Sequence, residues 1–406
     1  MERYFQQFQS ADDLIPCELF ESHGCYSGGA LKVGDKLAMF YTGNTRRAID
    51  NQRVPYQNLA IFDLDGKLLS KRPLIENAPA GYTEHVRDPK PYFADNGKIR
   101  FVCGAQRENL TGTAIVFEMD NLEDSPRLLG ELALPAFDNR DVFMWECPDL
   151  LKLGEQDVFI WSPQGKARES LQFQNNYHAV YALGKLDGLD FHAETIQELD
   201  QGFDFYAPQT FAGLSNQQQA ILYGWIGLPD LTYPTDKYKW HSALCLPREL
   251  RLQGKHIYQR PIPAIYQSLS NSTSYQVHGQ TEIADLDRAY LSFEVQNQPF
   301  ELRFFANAEG EYLTLSYQDG VLSLERTHSE QTELMRKFDS QRHCEVKNLH
   351  KVEIFFDRSI MEIFCNDGEK AMTSRFFIAN RAMCLHSSRP LTLAVAYPQG
   401  ITYTGQ

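Results

Sequence analysis

Long apolar runs are absent from this sequence of 406 residues. No stretch approaches the roughly 20 consecutive apolar residues of a membrane-spanning helix, and the N-terminal MERYFQQFQS has no apolar segment typical of a signal peptide. Positive charge is scarce as well, because 39 Lys and Arg stand against 53 Asp and Glu, for a formal net charge of −14. We therefore expect neither nucleic acid nor an anionic membrane as a partner.

Paired cysteines and metal-binding patterns are also missing. The eight cysteines are scattered along the chain, with no CxxC pair and no spacing typical of zinc ligands. This pattern predicts free thiols in a reducing, cytoplasmic compartment, and it predicts no metal and no other cofactor. The composition is that of a soluble globular protein, and the length predicts two domains.

Long helical periodicity is absent too, and a repeat of about sixty residues takes its place. Four segments begin at residues 26, 87, 146 and 206, so the steps are 87−26=61, 146−87=59 and 206−146=60. Each contains two β-rich runs around a polar turn, which predicts a β-hairpin. The four segments read YSGGALKVGDKLAMFYTG, RDPKPYFADNGKIRFVCGAQ, ECPDLLKLGEQDVFIWSPQG and YAPQTFAGLSNQQQAILYGWIG.

A regular period that holds about four strands is typical of a β-propeller, whose blades surround a central channel. The first strand of a blade lies innermost, so the opening residues of the repeats are predicted to converge at one mouth of the channel. These residues are Tyr26, Ser27, Arg87, Asp88, Glu146 and Tyr206.

The strand pattern changes after two prolines, Pro261 and Pro263. From residue 273 onward, strongly alternating strands and frequent turn signals predict an antiparallel β-sandwich. The predicted fold is therefore all-β, with a propeller catalytic domain over 1–262 and a sandwich domain over 273–406.

Seven motifs, in order along nearly the whole chain, resemble glycoside hydrolase family 32, the invertases and sucrose-6-phosphate hydrolases. The resemblance implies a five-bladed propeller followed by a β-sandwich, and hydrolysis of a β-fructofuranosyl bond. The motifs are YSGGA (26–30), RDP (87–89), ECPDL (146–150), FYAPQTF (205–211), GWIG (224–227), WHSALCLPREL (240–250) and DRSIMEIFCNDGE (357–369).

The chain departs from the family pattern in three places. Gly29 stands where the family usually has serine, and Val86 where it usually has phenylalanine. The Asn-Asp-Pro-Asn-Gly motif, which holds the family's nucleophile in the first blade, does not occur, and the NDG at 366–368 belongs to the predicted sandwich. The repeat also leaves too few residues before Tyr26 for a blade. We therefore expect a chain that begins about one blade late and is inactive on its own.

The family resemblance and the repeat position give Glu146 the role of general acid, which protonates the leaving oxygen. Strand alternation places Met144 and Pro148 on its side of the strand; the alternative is a structural ion pair. Asp88 has the chemistry of a nucleophile, but the resemblance makes it a binder of fructosyl hydroxyls that stabilises the transition state. Arg87 is expected to pair with carboxylates. The alternative for this segment is a plain Arg-Asp-Pro turn.

Four further residues are candidates for lining the sugar pocket, with aromatic rings that stack and hydroxyls that donate hydrogen bonds. They are Tyr26, Ser27, Tyr206 and Trp240. Cations near Trp240 are weak candidates for contacting a phosphate, and a solvated surface loop is the default interpretation of this segment. These cations are Lys237, Lys239 and His241.

The interpretation is a cytoplasmic β-fructofuranosidase that acts on a small sugar, sucrose-6-phosphate and/or sucrose, with retention and without a cofactor. The alternative is a non-catalytic or degenerate sugar-binding paralogue whose four blades close on themselves. Another five-bladed glycosidase such as an arabinanase is disfavoured by the C-terminal motif.

Overall fold

The computed structural model describes residues 14–212, 219–329 and 339–399. The described residues are nearly all β-structure, as the sequence predicts. They include one short α-helix, α1 (Pro263–Gln267), and 3-10 turns at Leu19–Glu21, Asp236–Tyr238, Leu286–Arg288 and Asn366–Gly368.

Four successive antiparallel sheets form a propeller-like arrangement of four blades. The blades are β1 (Cys25–Val33), β2 (Lys36–Arg46), β3 (Arg53–Asp63) and β4 (Leu68–Ile75); β5 (Tyr82–Phe93), β6 (Ile99–Arg107), β7 (Gly112–Met119) and β8 (Arg127–Glu131); β9 (Met144–Leu153), β10 (Gln156–Gln164), β11 (Val180–Asp187) and β12 (Asp190–Glu198); β13 (Tyr206–Thr210), β14 (Gln219–Ile226), β15 (Ala243–Leu244), β16 (Arg248–Gln253) and β17 (His256–Pro261).

The predicted hairpins open each of these blades. In the first blade, Gly34 has a φ of 62° in the two-residue turn between β1 and β2, and Gly154 has a φ of 61° between β9 and β10. Both turns need a positive φ, which glycine adopts without steric cost.

The chain divides into two compact units, of which the first comprises residues 1–166, 180–197 and 209–218. Its first two blades share a buried apolar core in which the rings of Phe101 and Phe117 stack 5.0 Å apart. In the third blade, Trp161 is fully buried and stacks on Phe159, also at 5.0 Å. Trp161 therefore packs in the interior of the third blade.

The second unit comprises residues 167–179, 198–208 and 219–406. It contains most of the fourth blade and a ten-stranded antiparallel sheet that forms a nearly closed sandwich or barrel around one large apolar core. The strands of that sheet are β18 (Thr273–Glu282), β19 (Tyr290–Glu294), β20 (Phe300–Phe304), β21 (Leu313–Gln318), β22 (Val321–Glu325), β23 (Gln341–Glu345), β24 (Lys351–Asp357), β25 (Ile360–Cys365), β26 (Lys370–Arg375) and β27 (Cys384–Ala396).

The predicted domain boundaries, 1–262 and 273–406, stay a prediction. All eight cysteines are free thiols, as expected. Within the described ranges, no helix has the length and apolar character needed to cross a membrane.

Candidate active site

Each of the first three blades has an irregular first strand at its repeat motif. The pairing register shifts between Tyr26 and Gly28 in β1, and between Arg87 and Lys90 in β5. In β9 it shifts between Glu146 and Asp149. Such bulges re-aim side chains next to active sites. The regular alternation predicted around Glu146 therefore does not continue past that residue.

One backbone feature recurs in phase with the repeat. Asp88, Cys147 and Ala207 have φ values of 62°, 46° and 50°, and each precedes a proline. A positive φ is uncommon for residues other than glycine, and a following proline disfavours the helical region of the backbone map. The repeat motifs thus place a strained residue at the same position of three successive blades.

Asp88 is held from two neighbouring strands. Its carboxylate Oδ2 accepts a hydrogen bond from the Cys147 backbone N–H at 2.9 Å, and its own N–H donates to Thr42 Oγ1 at 2.9 Å. Its side chain is buried. Burial raises the pKa of Asp88 to about 6, and the charge of Glu146 adds to this, while Arg87 and the Cys147 N–H oppose it.

Glu146 lies beside Arg87. Nε and Nη2 of Arg87 both donate to Oε1 of Glu146, at 3.0 and 2.7 Å. Nη1 of Arg87 lies 3.0 Å from Nδ1 of His85. Burial lowers the pKa of His85, and the charges of Arg87 and Arg53 lower it further. A neutral imidazole can accept the Arg87 hydrogen bond, so the guanidinium is fixed against the carboxylate.

The first unit therefore brings together Arg87, Asp88 and Glu146, and Tyr26 lies near the same group. Tyr26 is about half exposed, and its hydroxyl accepts a hydrogen bond from Asn44 Nδ2 at 3.0 Å. Ser27 is exposed at the bulge that follows Tyr26.

Tyr206 and Trp240 belong to the second unit. Tyr206 is buried at 3% exposure, and its ring meets that of Tyr177 edge-on at 5.2 Å. Trp240 is 47% exposed, and the Arg375 guanidinium lies 5.2 Å from its ring. Trp225 is partly buried against the same apolar cluster as Tyr206.

Two of the three basic residues near Trp240, His241 and Lys237, have local side-chain partners. His241 Nδ1 lies 2.9 Å from Asp236 Oδ1, and Lys237 Nζ lies 5.1 Å from the centre of the Tyr238 ring. Lys239 ends a 3-10 turn with a left-handed backbone.

A second polar layer lies three residues after the motif starts, at Lys90, Asp149 and Gln209, and the sequence reasoning missed it. Lys90 Nζ lies 3.1 Å from Asp149 Oδ2 and 3.1 Å from Gln209 Oε1, and Lys90 and Asp149 are almost fully buried. The spacing of the repeat could have revealed these residues, because they are separated by 149−90=59 and 209−149=60 positions.

Gly29 occupies the same repeat position in the first blade. A Cβ atom at Gly29 would lie 2.8 Å from Lys90 Cδ. The glycine that departs from the family pattern therefore leaves room for the lysine stem. A larger residue at position 29 requires the Lys90 stem and the Pro91 ring, whose Cδ would lie 2.9 Å from the added Cβ, to shift.

This arrangement of two carboxyl groups suits general acid–base cleavage of a polar bond in a bound ligand. A partly exposed carboxyl group, Glu146, can exchange a proton with a ligand, while the buried Asp88 offers a fixed acceptor for hydroxyl groups. Among the described residues, no group of three or more Asp, Glu, His and Cys side chains is placed to hold a metal ion.

Comparison with protein families gives two matches that together cover most of the chain. Residues 5–261 match the "Glycosyl hydrolases family 32 N-terminal domain", and residues 252–389 match "Glycosyl hydrolases family 32 C terminal". Among curated proteins, the chain is 37% identical over 379 residues to a sucrose-6-phosphate hydrolase of Bacillus subtilis, covering 90% of this chain and 76% of that protein. It is 33% identical over 411 residues to one of Staphylococcus xylosus, covering 95% and 81%.

Solved structures agree in fold. The chain is similar to sucrose-6-phosphate hydrolase from Lactobacillus gasseri, with a TM-score of 0.85 and 28% identity over 95% of this chain and 80% of the other. It is also similar to a GH32 beta-fructofuranosidase of Bombyx mori, with a TM-score of 0.78 and 27% identity over 92% and 78%. A mutant of the Bombyx enzyme was solved in complex with sucrose.

Proposed function

We propose, since this chain belongs to glycosyl hydrolase family 32, that it hydrolyses sucrose-6-phosphate and/or sucrose at the β-fructofuranosyl bond with retention of configuration. The observation that carries the proposal is the Arg87–Glu146 pair beside the buried Asp88. The curated relatives named sucrose-6-phosphate hydrolase support the choice of substrate.

In this proposal Glu146 is the general acid. It transfers its proton to the glycosidic oxygen as a nucleophilic carboxylate forms a covalent bond to the fructosyl carbon and the glycosidic bond breaks, and glucose or its phosphate leaves. Glu146 then takes a proton from the water that attacks the fructosyl group. Arg87 supports both steps, because its two donors on Oε1 orient the carboxyl group.

Asp88 accepts hydrogen bonds from fructosyl hydroxyls and stabilises the positive charge that develops on the fructosyl ring. Its Oδ2 already accepts the Cys147 N–H, so the carboxylate needs no reorganisation when the sugar binds. Retaining hydrolysis also uses a second carboxylate as nucleophile. The family's Asn-Asp-Pro-Asn-Gly motif does not occur in the 406 residues, and this proposal keeps Asp88 as the sugar-binding carboxylate.

Tyr26, Ser27, Tyr206 and Trp240 are proposed as sugar-binding residues. We further propose a propeller of the five-bladed type and a cytoplasmic enzyme. Its partner is a small sugar rather than nucleic acid or a membrane, and it needs no cofactor.

Product analysis tests the proposal. A form of the protein that carries the Asn-Asp-Pro-Asn-Gly motif, incubated with sucrose-6-phosphate and with sucrose, is expected to release fructose and the matching glucose product, whereas the 406 residues alone, which lack this motif, are expected to release none. Proton NMR at early times is expected to show the β-anomer of fructofuranose first, because retention preserves the configuration. Sugar binding without release of fructose by the form that carries the motif would favour the non-catalytic paralogue.

A further inference from the structure

One face of strand β2 leads away from the candidate active site. Thr42, Asn44 and Arg46 are separated by two residues each, so their side chains point to the same side of the strand. Thr42 accepts the Asp88 N–H at 2.9 Å, and Asn44 donates to the Tyr26 hydroxyl at 3.0 Å. Arg46, at the end of β2, is the next residue on this face.

Arg46 faces a second arginine. In the pairing of β2 with β3, Thr42 lies opposite Gln57, and Arg46 lies opposite Arg53. Gln57 links strand β3 to the second blade, because its Nε2 donates to the Val86 carbonyl at 2.9 Å. The arginine pair thus lies four residues along both strands from the Asp88 contact, which is about 13 Å.

The charges of these two arginines are not neutralised nearby. Like charges directly opposite on neighbouring strands destabilise a sheet. Arg46 donates to a neutral group, the Asn51 carbonyl, at 3.0 Å. Across the described ranges, no carboxylate lies within ion-pair distance of Arg46 or Arg53. By contrast, the adjacent Arg47 is paired with Asp50 at 2.7 Å.

Two other arginines affect the titration of Arg53. Burial lowers the pKa of Arg53, and the charges of Arg87 and Arg46 lower it further. Tyr26 and Glu84 act in the opposite direction. Arg53 is only partly exposed, so its charge is incompletely solvated. A half-buried guanidinium between two others is expected to gain free energy when an anion binds.

We propose that Arg53, with Arg46 opposite it, binds the phosphate group of a phosphorylated leaving sugar. The inference rests on the proposed function, in which Glu146 protonates the oxygen of the leaving sugar. Arg87 donates hydrogen bonds to Glu146, and it lies close enough to Arg53 for its charge to lower the pKa of Arg53. A planar guanidinium binds phosphate oxygens through two parallel hydrogen bonds. Sucrose carries no charge, so these arginines select the phosphorylated substrate.

Substrate discrimination is the test. Arg53→Gln and Arg46→Gln are compared with wild type for kcat/KM on sucrose-6-phosphate and on sucrose. The matched control is Arg47→Gln, which removes the same charge from an exposed arginine already paired with Asp50. Arg53→Gln is expected to lower kcat/KM for sucrose-6-phosphate by at least about tenfold, as for other charged hydrogen bonds. Its effect on sucrose is expected to stay within about twofold, and Arg47→Gln is expected to change neither.

Binding of the product tests the inference without requiring catalytic turnover. Calorimetric titration with glucose-6-phosphate, glucose and inorganic phosphate is expected to show that Arg53→Gln weakens only the two phosphate-containing ligands. The kinetic comparison uses a form that carries the Asn-Asp-Pro-Asn-Gly motif. If that form hydrolyses neither substrate, the proposed function fails, while this titration still tests Arg53. Equal affinity of wild type and Arg53→Gln for glucose-6-phosphate overturns the inference. A loss of discrimination in a Lys237→Gln/Lys239→Gln variant, with Arg53→Gln unaffected, also overturns it.

Discussion

At the scale of single residues, the two carboxyl groups of the candidate site have different surroundings. Glu146 has 19% of its side chain exposed and accepts both Arg87 donors on one oxygen. Asp88 is buried, and burial raises its pKa to about 6. Paired carboxyl groups in unlike environments are typical of glycosidase sites, where they take separate roles.

The buried Asp88 predicts a pH-dependent cost to stability. An ordinary aspartate titrates near about 3.9, and Asp88 in the folded protein near about 6, so the folded state holds its proton more tightly. Between about pH 4 and 6 the unfolded chain gains stability by ionising first, and folding stability falls as pH rises. The gap corresponds to at most about 3 kcal/mol.

Asp88→Asn removes this titration. The variant is expected to gain stability relative to wild type as pH rises from 4.5 to 7.5, by about 1–3 kcal/mol. Denaturant titration of both proteins at several pH values measures the difference. A difference in unfolding free energy that does not change with pH would contradict the assignment of Asp88 as a buried titrating group.

In the same variant, kcat/KM is expected to fall by at least about 10²-fold, because the amide cannot stabilise positive charge.

At the scale of strands, the irregular first strand of each blade determines where the polar groups point. The left-handed residues Asp88, Cys147 and Ala207 lie one residue after each motif start and immediately before a proline. The strain at each site is worth about 1–3 kcal/mol and must be offset by surrounding contacts.

Ala207 allows the strain to be tested without altering a polar group. Ala207→Gly is expected to leave stability unchanged or to raise it, because glycine adopts a φ of 50° without steric cost. Ala207→Val is expected to destabilise by about 1–3 kcal/mol, because a β-branched side chain opposes that backbone conformation. Urea denaturation measures both variants. Equal stability of the two variants would argue against a left-handed residue at this position.

The hairpins were predictable from sequence, because each repeat places turn residues such as Gly34 and Gly154 between two β-rich runs. The bulges were not, because alternation assumes regular pairing, and a register shift between Glu146 and Asp149 leaves no mark in hydrophobicity. The position of the motifs within the sixty-residue repeat identified Arg87, Asp88 and Glu146 as site residues. It missed Lys90, because a buried lysine depends on a carboxylate, Asp149, that is 59 residues distant in sequence.

At the scale of the whole molecule, two motifs used to recognise the family meet inside the second unit. Arg248, from the WHSALCLPREL motif, is fully buried. Its guanidinium donates to Asp200 at 3.0 Å and to Glu362 at 2.7 Å, and Glu362 belongs to the DRSIMEIFCNDGE motif. Thr373 and Gln259 accept further hydrogen bonds from the same group. These residues hold strands of the fourth blade and the ten-stranded sheet together.

Removing this arginine is expected to be costly. Arg248→Met leaves Asp200 and Glu362 buried without a cation, which typically costs about 3–5 kcal/mol. The control is Arg303→Met, because Arg303 pairs with Glu301 on the surface and both side chains are over 40% exposed; its expected cost is about 1 kcal/mol or less. Denaturant unfolding measures both. Similar costs for the two variants would contradict a structural role for the buried network.

The central claim is that Glu146 transfers the proton at a β-fructofuranosidase site, and Glu146→Gln tests it most directly. The amide keeps the size and the hydrogen-bonding oxygen for Arg87 but cannot donate a proton as an acid does. Both proteins are compared in a form that carries the Asn-Asp-Pro-Asn-Gly motif. Turnover of sucrose-6-phosphate is measured by release of glucose-6-phosphate, and binding of the same substrate is measured by calorimetry. The account predicts a loss of turnover of about 10²–10⁴-fold, with affinity within about threefold of wild type. Turnover by Glu146→Gln close to that of wild type would contradict it.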